Sequence, residues 1–421
     1  MEDCIHNIIT FCFLFMNRVA ITGIGIYSSI GKNLEEVKNS LYKGKSGIVL
    51  DPERKNFGFQ SSLTGKVDTP QLKGILDRRA RVSMPQQAEF AYMSTVEALK
   101  TAAITPEYIE KNDVGIIFGN DSSTIPVIEA VDIIRNTRDT GMVSSGSVFQ
   151  SMNSTVTMNL SVIFHFKGIN FTLSGACASG SHAIGMGFLM IRHGYQKTIV
   201  CGGAQEVNLF CVGNFDALGA FSKLDSAPEK ASKPFDIKRD GLVPSGGAAT
   251  IILEDMEHAI RRGAPILAEV IGYGFSSDGM HISVPDVNGQ IRAISMALND
   301  AGVVPDKIDY INAHATSTLI GDQNEAKAID HIFGQSKPFI SSTKSMTGHE
   351  MWMAGASEIV YSMIMMQNSF VAPNINFEEP DEFTAKLNIV AKTIPKEIDI
   401  FLSNSFGFGG TNSCLIIKKL H

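Results

Sequence analysis

The sequence has few charged residues and no excess of basic ones. Charged residues make up 19% of the 421 residues, and the net charge is −7, with lysine and arginine scattered along the chain. This distribution argues against a nucleic-acid partner. No Pro-rich or low-complexity linker divides the chain. The 44% hydrophobic content with 38 glycines indicates a well-buried α/β protein, long enough for two domains or two fused halves.

Cysteine pairs are also lacking. None of the six cysteines belongs to a Cys-x-x-Cys pair or to a Cys/His cluster with metal spacing, which argues against a zinc site and a disulfide framework. A reducing cytoplasm fits this pattern, and we predict no metal.

No apolar run is long enough to cross a membrane as a helix. Residues 8–15 are apolar, but the run is too short to span a bilayer. No Lys or Arg precedes it, and no small-residue cleavage site follows, so it is not typical of a signal peptide. We interpret residues 1–15 as a non-native or disordered extension from an upstream start codon. A short membrane-surface anchor is the alternative.

What the chain does contain is an alternation of short apolar runs and helical stretches. This pattern predicts largely buried sheets covered by helices. The predicted strands are residues 19–24, 114–119, 169–173, 198–202, 248–253, 308–313, 339–342, 400–402 and 414–418.

Two segments of the chain resemble each other. Residues 171–177 and 339–349 each read as a strand and a small-residue turn that lead into an apolar helix. Two similar halves could pack about a pseudo-dyad with equivalent loops facing one another. That arrangement would bring Cys177 near Lys344 and His349.

Cys177 lies among small residues, in the segment 174–180, between a predicted strand and a predicted helix. A helix N-terminus favours thiolate over thiol, and the small neighbours leave room for another molecule to reach the sulfur. The pattern therefore predicts a nucleophile. A buried structural cysteine is the alternative.

Three later segments carry further chemical groups. His314 follows a predicted strand and precedes several hydroxyl residues, and residues 342–349 hold a lysine and a second histidine. Residues 404–412 are rich in glycine, which frees backbone N–H groups to point at a ligand or an oxyanion. Taken singly, these features are equally compatible with a structural histidine, a surface lysine and a turn.

Taken together and in this order, residues 174–179, 312–322, 343–349 and 404–412 resemble the four signatures of the β-ketoacyl-acyl-carrier-protein synthases. These enzymes condense an acyl thioester with malonyl-carrier protein, with loss of CO₂, and lengthen the acyl chain by two carbons. The resemblance covers residues 16–421, and Ser245-Gly246-Gly247 makes it more like the synthase I branch.

The resemblance implies a thiolase-like α/β fold, with two duplicated α/β halves in a five-layered αβαβα arrangement. The first half, residues 16–260, would carry the nucleophile. The second half, residues 261–421, would carry the histidines and the lysine. It also implies a homodimer.

The resemblance also implies the catalytic roles. Cys177 matches the nucleophile that holds the acyl chain as a thioester. His314 and His349 match the histidines that assist decarboxylation of the malonyl group. Lys344 and Glu325 match a charge pair that orders the histidines.

Further matching residues surround the substrate. Phe408 matches a gate for the acyl chain, and its backbone N–H would hold the oxyanion together with that of Cys177. The remaining substrate-binding residues implied are Thr316, Thr318, Asp278, Phe406 and Gly407. No metal or tightly bound organic cofactor is implied, because the 4′-phosphopantetheine arm arrives on the carrier protein.

Acyl carrier proteins are acidic, so docking requires basic residues near the pocket mouth. Arg78, Arg79 and Arg81 form the densest basic cluster of the first half and are the predicted docking residues. An ordinary solvated helix start is the alternative.

The sequence departs from the family pattern at three places. Ala315 stands where the family usually has glycine, and Trp352 lies between two methionines where small residues are common. Residues 120–123 replace a glycine-rich stretch. These changes are compatible with neutral repacking, or with a ketosynthase of a polyene or polyketide pathway, for example of the aryl polyene type.

Two other protein classes fit the sequence less well. A non-catalytic chain-length-factor subunit is disfavoured, because Cys177, His314 and His349 are all retained. A thiolase acting on coenzyme A thioesters would need a late cysteine as base. Cys414 lies in a predicted final strand, where that role does not fit.

Overall fold

The computed structural model describes residues 16–420, so the predicted N-terminal extension lies outside the described residues. The strands of this part of the chain are β1 (Val19–Ser28), β2 (Ile48–Leu50), β3 (Leu63–Gly65), β4 (Val114–Gly119), β5 (Asn170–Leu173), β6 (Thr198–Gln205), β7 (Gly247–Asp255), β8 (Ala268–Ser277), β9 (Tyr310–Asn312), β10 (Phe339–Ser341), β11 (Phe370–Val371), β12 (Ile394–Pro395), β13 (Ile400–Gly407) and β14 (Thr411–Lys418).

The helices of residues 16–420 are α1 (Leu34–Lys43), α2 (Pro52–Asn56), α3 (Arg78–Val82), α4 (Gln86–Thr101), α5 (Pro106–Lys111), α6 (Ile125–Thr137), α7 (Ser147–Gln150), α8 (Thr155–Phe164), α9 (Ser179–Arg192), α10 (Leu209–Ala217), α11 (Met256–Arg261), α12 (Val287–Ala301), α13 (Leu319–Phe333), α14 (Lys344–Thr347) and α15 (Ala354–Gln367). None of them is long and apolar enough to cross a membrane.

Ten strands form the main sheet, in the order β10-β9-β13-β14-β8-β1-β7-β6-β4-β5. Divided between β8 and β1, this order gives two five-stranded units with the same internal order, 3-2-4-5-1. Within residues 16–420, the strand pairing between the two units is that of Val19, Ala20 and Ile21 of β1 with β8. The same strand order in both units confirms the duplication that was predicted from the sequence.

The layers follow from three apolar cores. The largest core contains Ile117 and Phe188 from the first half and Tyr361 and Leu415 from the second, so α9 and α15 lie between the two five-stranded units. A second core packs α4 and α8 on the outer face of the first unit. A third packs α12 and α13 on the outer face of the second. The result is the five-layered αβαβα arrangement of the thiolase-like fold.

Two glycines let the central helices touch. A Cβ atom on Gly180 of α9 would lie 2.9 Å from the backbone nitrogen of Ala356. A Cβ on Gly355 of α15 would lie 2.5 Å from the Cβ of Ser181. Because both glycines lie in the first turns of their helices, the loops that precede these helices meet at the centre of the molecule.

Each of the nine predicted runs overlaps a strand of the main sheet, but β8, the tenth strand of that sheet, was not among the predictions. Gly272 and Gly274 interrupt its apolar run. A Cβ on Gly274 would lie 2.0 Å from the backbone oxygen of Ala293 in α12, so close packing of that helix requires a residue without a side chain. The glycines that mask this strand in a hydrophobicity pattern are therefore required by tertiary packing.

Candidate active site

Cys177 lies in a 3₁₀ turn, Ala176–Ala178, that connects β5 to α9. Ala176 adopts a left-handed backbone conformation with φ of 46°, and its N–H donates to Asp121 Oδ2 at 3.0 Å. The N–H of Gly175 donates to Ser179 Oγ at 2.8 Å. These bonds hold the turn that presents the sulfur to the interior.

One predicted histidine contacts the cysteine, and the other packs against the first. The Nε2 atom of His349 lies 3.0 Å from the Sγ atom of Cys177. The ring of His314 stands edge-on to that of His349, with 5.4 Å between centroids and 87° between planes. His314 follows β9 and His349 follows α14, both in the second half, whereas Cys177 lies in the first half. Loops of both halves therefore build one site, as the predicted pseudo-dyad required.

These three side chains line a cavity of about 570 Å³. The residues predicted around the substrate that also line it are Thr316, Thr318, Phe406, Gly407 and Phe408, together with the predicted catalytic residue Glu325. Asp278 does not line it. The carboxylate of Asp278 accepts hydrogen bonds from Asn412 Nδ2 at 2.6 Å and from the N–H of Asp286 at 2.9 Å. The structure thus corrects the predicted substrate-binding role of Asp278 to support of the glycine loop.

The glycine-rich loop places backbone N–H groups at the sulfur. The N–H groups of Cys177 and Phe408 both interact with the Sγ atom. A Cβ on Gly407 would lie 3.2 Å from the nitrogen of Cys177, so this close approach needs glycine. The Phe408 ring, 38% exposed, stacks on Phe215 with 6.0 Å between centroids. The site can therefore offer the N–H groups of Cys177 and Phe408 to an oxyanion beside a partly exposed aromatic side chain.

The electrostatics correct one expectation. Burial raises the pKa of the Cys177 thiol to about 12, although Lys344 and the two N–H groups oppose the change. In the substrate-free site burial therefore favours the neutral thiol, against the thiolate that the helix N-terminus was expected to favour.

Both histidines are uncharged near neutral pH. Burial lowers the pKa of His314 and His349 well below the usual value, and the nearby Lys344 cation lowers both further. Among residues 16–420, neither Nδ1 atom has a hydrogen-bond partner. Each neutral ring can carry its proton on Nε2 and donate it into the cavity.

The predicted pairing of Lys344 with Glu325 is wrong. Lys344 Nζ forms a buried ion pair with Glu358 of α15. Glu325 accepts instead from the N–H groups of His314, at 2.9 Å, and Ala315, at 2.6 Å. Since Asn404 Nδ2 also donates to Glu325, at 3.0 Å, this carboxylate orders the His314 loop directly.

Sequence reasoning missed two acids near the site. Glu350 and Glu358 are each 1% exposed and flank the start of the apolar helix α15. Carboxyls within such a buried segment are rare, because burial of an unpaired charge is costly. An acidic residue in an otherwise apolar segment was therefore the feature of the sequence that could have indicated these two acids.

The three arginines predicted for docking do not line the active-site cavity. Arg78 and Arg79 lie on α3 and line a second cavity with Phe149, beside the edge strand β5. Arg81 is half-buried, and its Nε donates to the backbone oxygen of Leu76 at 3.2 Å.

Two of the departures from the family pattern touch each other. Trp352 Nε1 donates to Ser122 Oγ at 3.0 Å. The Trp352 ring also packs on Phe215, the residue beneath Phe408, with 6.3 Å between centroids. Ala315 is not among the residues with positive φ, so its methyl group causes no backbone strain.

This fold and this Cys-His-His site define a condensing enzyme of the thiolase-like class. Residues 16–259 match the family model of the β-ketoacyl synthase N-terminal domain, and residues 267–378 match that of the C-terminal domain. The chain belongs to the β-ketoacyl synthase family.

Individual relatives agree with this assignment. The chain is 41% identical over 410 residues to 3-oxoacyl-[acyl-carrier-protein] synthase 1 of Escherichia coli, covering 96% of this chain and 100% of the relative. A β-ketoacyl synthase from Burkholderia phymatum superposes with a TM-score of 0.92 at 34% identity, covering 96% of this chain and 100% of that one. A type II polyketide ketosynthase, solved with its acyl-carrier protein and bound to a hexaketide, superposes with a TM-score of 0.86 at 28% identity, with coverage of 96% and 100%.

Proposed function

We propose that this protein is a 3-oxoacyl-[acyl-carrier-protein] synthase that elongates fatty acyl chains by decarboxylative condensation with malonyl-carrier protein. The observation that carries the proposal is the 3.0 Å contact between Cys177 Sγ and His349 Nε2, within a cavity that His314 also lines.

Acyl transfer comes first. The sulfur of Cys177 attacks the thioester carbonyl of the incoming acyl chain. The N–H groups of Cys177 and Phe408 hold the resulting oxyanion, and the thiol proton goes to the departing pantetheine sulfur. Concerted transfer fits the raised pKa of Cys177, because a free thiolate need not accumulate.

Condensation follows. The malonyl thioester carbonyl accepts Nε2–H donation from His314 and His349, and CO₂ leaves with its bonding electron pair retained as an enolate. The enolate carbon attacks the carbonyl of acyl-Cys177. Collapse of the tetrahedral intermediate expels the Cys177 thiolate, which takes up one proton, and releases a 3-oxoacyl chain longer by two carbons.

The partner proposed is an acyl carrier protein, which brings the pantetheine arm and makes a resident cofactor or metal unnecessary for this chemistry. Thr316 and Thr318 support this, because their hydroxyls lie 3.0 Å apart on the cavity wall and can bond the arm. Arg78, Arg79 and Arg81 are the proposed docking residues. A cytoplasmic location is proposed because the four cysteines within residues 16–420 are free thiols.

We also propose a homodimer formed along β5. Among the described strands, β5 pairs only with β4, so its other edge is open. Phe171 of β5 and Val162 of α8 are exposed beside that edge, by 52% and 73%. An open edge flanked by apolar side chains favours pairing with a second copy.

The test is mass spectrometry of the intact protein after incubation with a panel of saturated and polyunsaturated acyl-carrier proteins. We expect one acyl group on Cys177, chain extension on addition of malonyl-carrier protein, and neither event in Cys177→Ala. Acylation elsewhere, or none with any substrate, would contradict the proposal. Acceptance of polyunsaturated chains alone would favour the polyene pathway, for which the contact between Trp352 and Ser122 is the supporting observation.

A further inference from the structure

Three buried carboxyls surround one buried ammonium group next to the site. Glu325, Glu350 and Glu358 are each 1% exposed, and Lys344 acts on the charge of all three. Lys344 also acts on Cys177 and on both histidines. The net charge of this cluster therefore influences the pKa of Cys177 and of both histidines.

The hydrogen bonds of Glu350 suit a neutral carboxyl. Tyr361 OH donates to Oε1 at 2.7 Å, and Ser357 Oγ lies 2.5 Å from Oε2. Ser357 Oγ also lies 2.9 Å from the backbone oxygen of Ala354, which can accept its proton. Because a hydroxyl has a single proton, Ser357 can satisfy both contacts only if Glu350 donates to it.

The charge balance points the same way. Glu358 already pairs with Lys344, and Glu325 accepts three N–H bonds, which suits an anion. An ionised Glu350 would add a second uncompensated negative charge to the protein interior, where charge is costly. Burial accordingly raises the pKa of Glu350 to about 7, against the lowering effects of Tyr361 and Lys344.

We propose, on the basis of the function proposed above, that Glu350 is a positioning residue that acts through Lys344. As a neutral carboxyl it leaves the lysine charge free to favour the thiolate of Cys177 and the malonyl enolate. As a carboxylate it would offset that charge and slow both steps. Glu350 touches none of the reacting atoms in this account.

The titratable groups that face Glu350 come from two elements. They are Lys344 of α14, and Glu358 and Tyr361 of α15. Glu325 of α13 interacts in turn with Glu358. The protonation of Glu350 is therefore coupled to that of these groups, and a test needs variants that change the charge or the pKa of Glu350 alone.

The experiment is the pH profile of kcat for condensation, and of CO₂ release from malonyl-carrier protein, in the wild-type enzyme and in Glu350→Gln. For the wild type we expect kcat to fall about tenfold from about pH 6.5 to about pH 9, the effect of one added charge at moderate effective dielectric. Glu350→Gln should lack this fall, with KM little changed. Exposed Glu257→Gln is the matched control and should keep the wild-type profile.

Two further variants test the direction of the effect. Tyr361→Phe removes a donor to the carboxylate and should move the fall to higher pH, whereas Ser357→Ala removes the acceptor of the Glu350 proton and should move the fall to lower pH. Parallel profiles for wild type and Glu350→Gln would overturn the inference. If Glu350→Gln does not fold, an unmoved midpoint in both other variants would do the same. A wild-type enzyme that never condenses would instead overturn the proposed function.

Discussion

Removal of the Lys344 charge tests how the buried cluster is held together. Lys344 and Glu358 are each 1% exposed and form a buried ion pair. Lys344→Met keeps the length of the side chain but leaves the Glu358 carboxylate buried without its cation. Breaking a buried pair in this way costs about 3–5 kcal/mol of folding free energy. The deficit should shrink as the pH falls, because burial raises the pKa of Glu358 and protonation removes the stranded charge.

A second substitution identifies the partner. In the Lys344→Met background, Glu358→Gln should restore about 2 kcal/mol, because no charge is then left unpaired. Glu325→Gln should restore none and should destabilise further, since Glu325 accepts N–H bonds from the His314 loop.

The assay is urea unfolding followed by far-UV circular dichroism at one protein concentration, with the coupling energy taken from each double-mutant cycle. A coupling energy of Lys344 with Glu325 as large as that with Glu358 would refute the assignment of Glu358 as the partner of Lys344. It would support the charge pair of Lys344 and Glu325 that the sequence predicted.

Three other outcomes are expected. Gly407→Ala should lower kcat about 100-fold while leaving the fold intact by circular dichroism, because its Cβ would lie 3.2 Å from the Cys177 nitrogen that holds the oxyanion; unchanged kcat would refute this. Iodoacetamide should alkylate Cys177 slowly at neutral pH and faster as pH rises, since burial raises the thiol pKa to about 12; fast, pH-independent alkylation would contradict it. Charge reversal of Arg78, Arg79 and Arg81 should slow turnover with carrier-linked substrate more than with small thioesters, whereas equal losses would count against docking.

Much of the site was predictable because its chemistry is concentrated in short segments. Cys177 and His314 each follow a short strand and His349 follows a single helical turn, and such junctions can be read locally. The pseudo-dyad inferred from two similar segments correctly placed Cys177 beside His349. The β8 strand was missed, because Gly272 and Gly274 serve the packing of α12 and not the hydrophobic pattern.

Other properties depend on distances that the sequence does not contain. Glu325 precedes Lys344 and Glu358 follows it, and either acid could have been its partner by spacing alone. Only the packing of α15 against the nucleophile helix α9 brings Glu358 to the ammonium group, while backbone N–H groups engage Glu325.

The sequence by itself indicated the family through its resemblance to four signature motifs. It also predicted Cys177, His314 and His349 as site residues and nine of the ten main-sheet strands, because residue identity and local hydrophobic pattern carry that information. The tertiary structure alone decided the ion pair of Lys344, the neutral thiol of Cys177 and the neighbours of Glu350. Charge and pKa depend on burial and on groups from distant segments, and both exist only once the two halves have packed around α9 and α15.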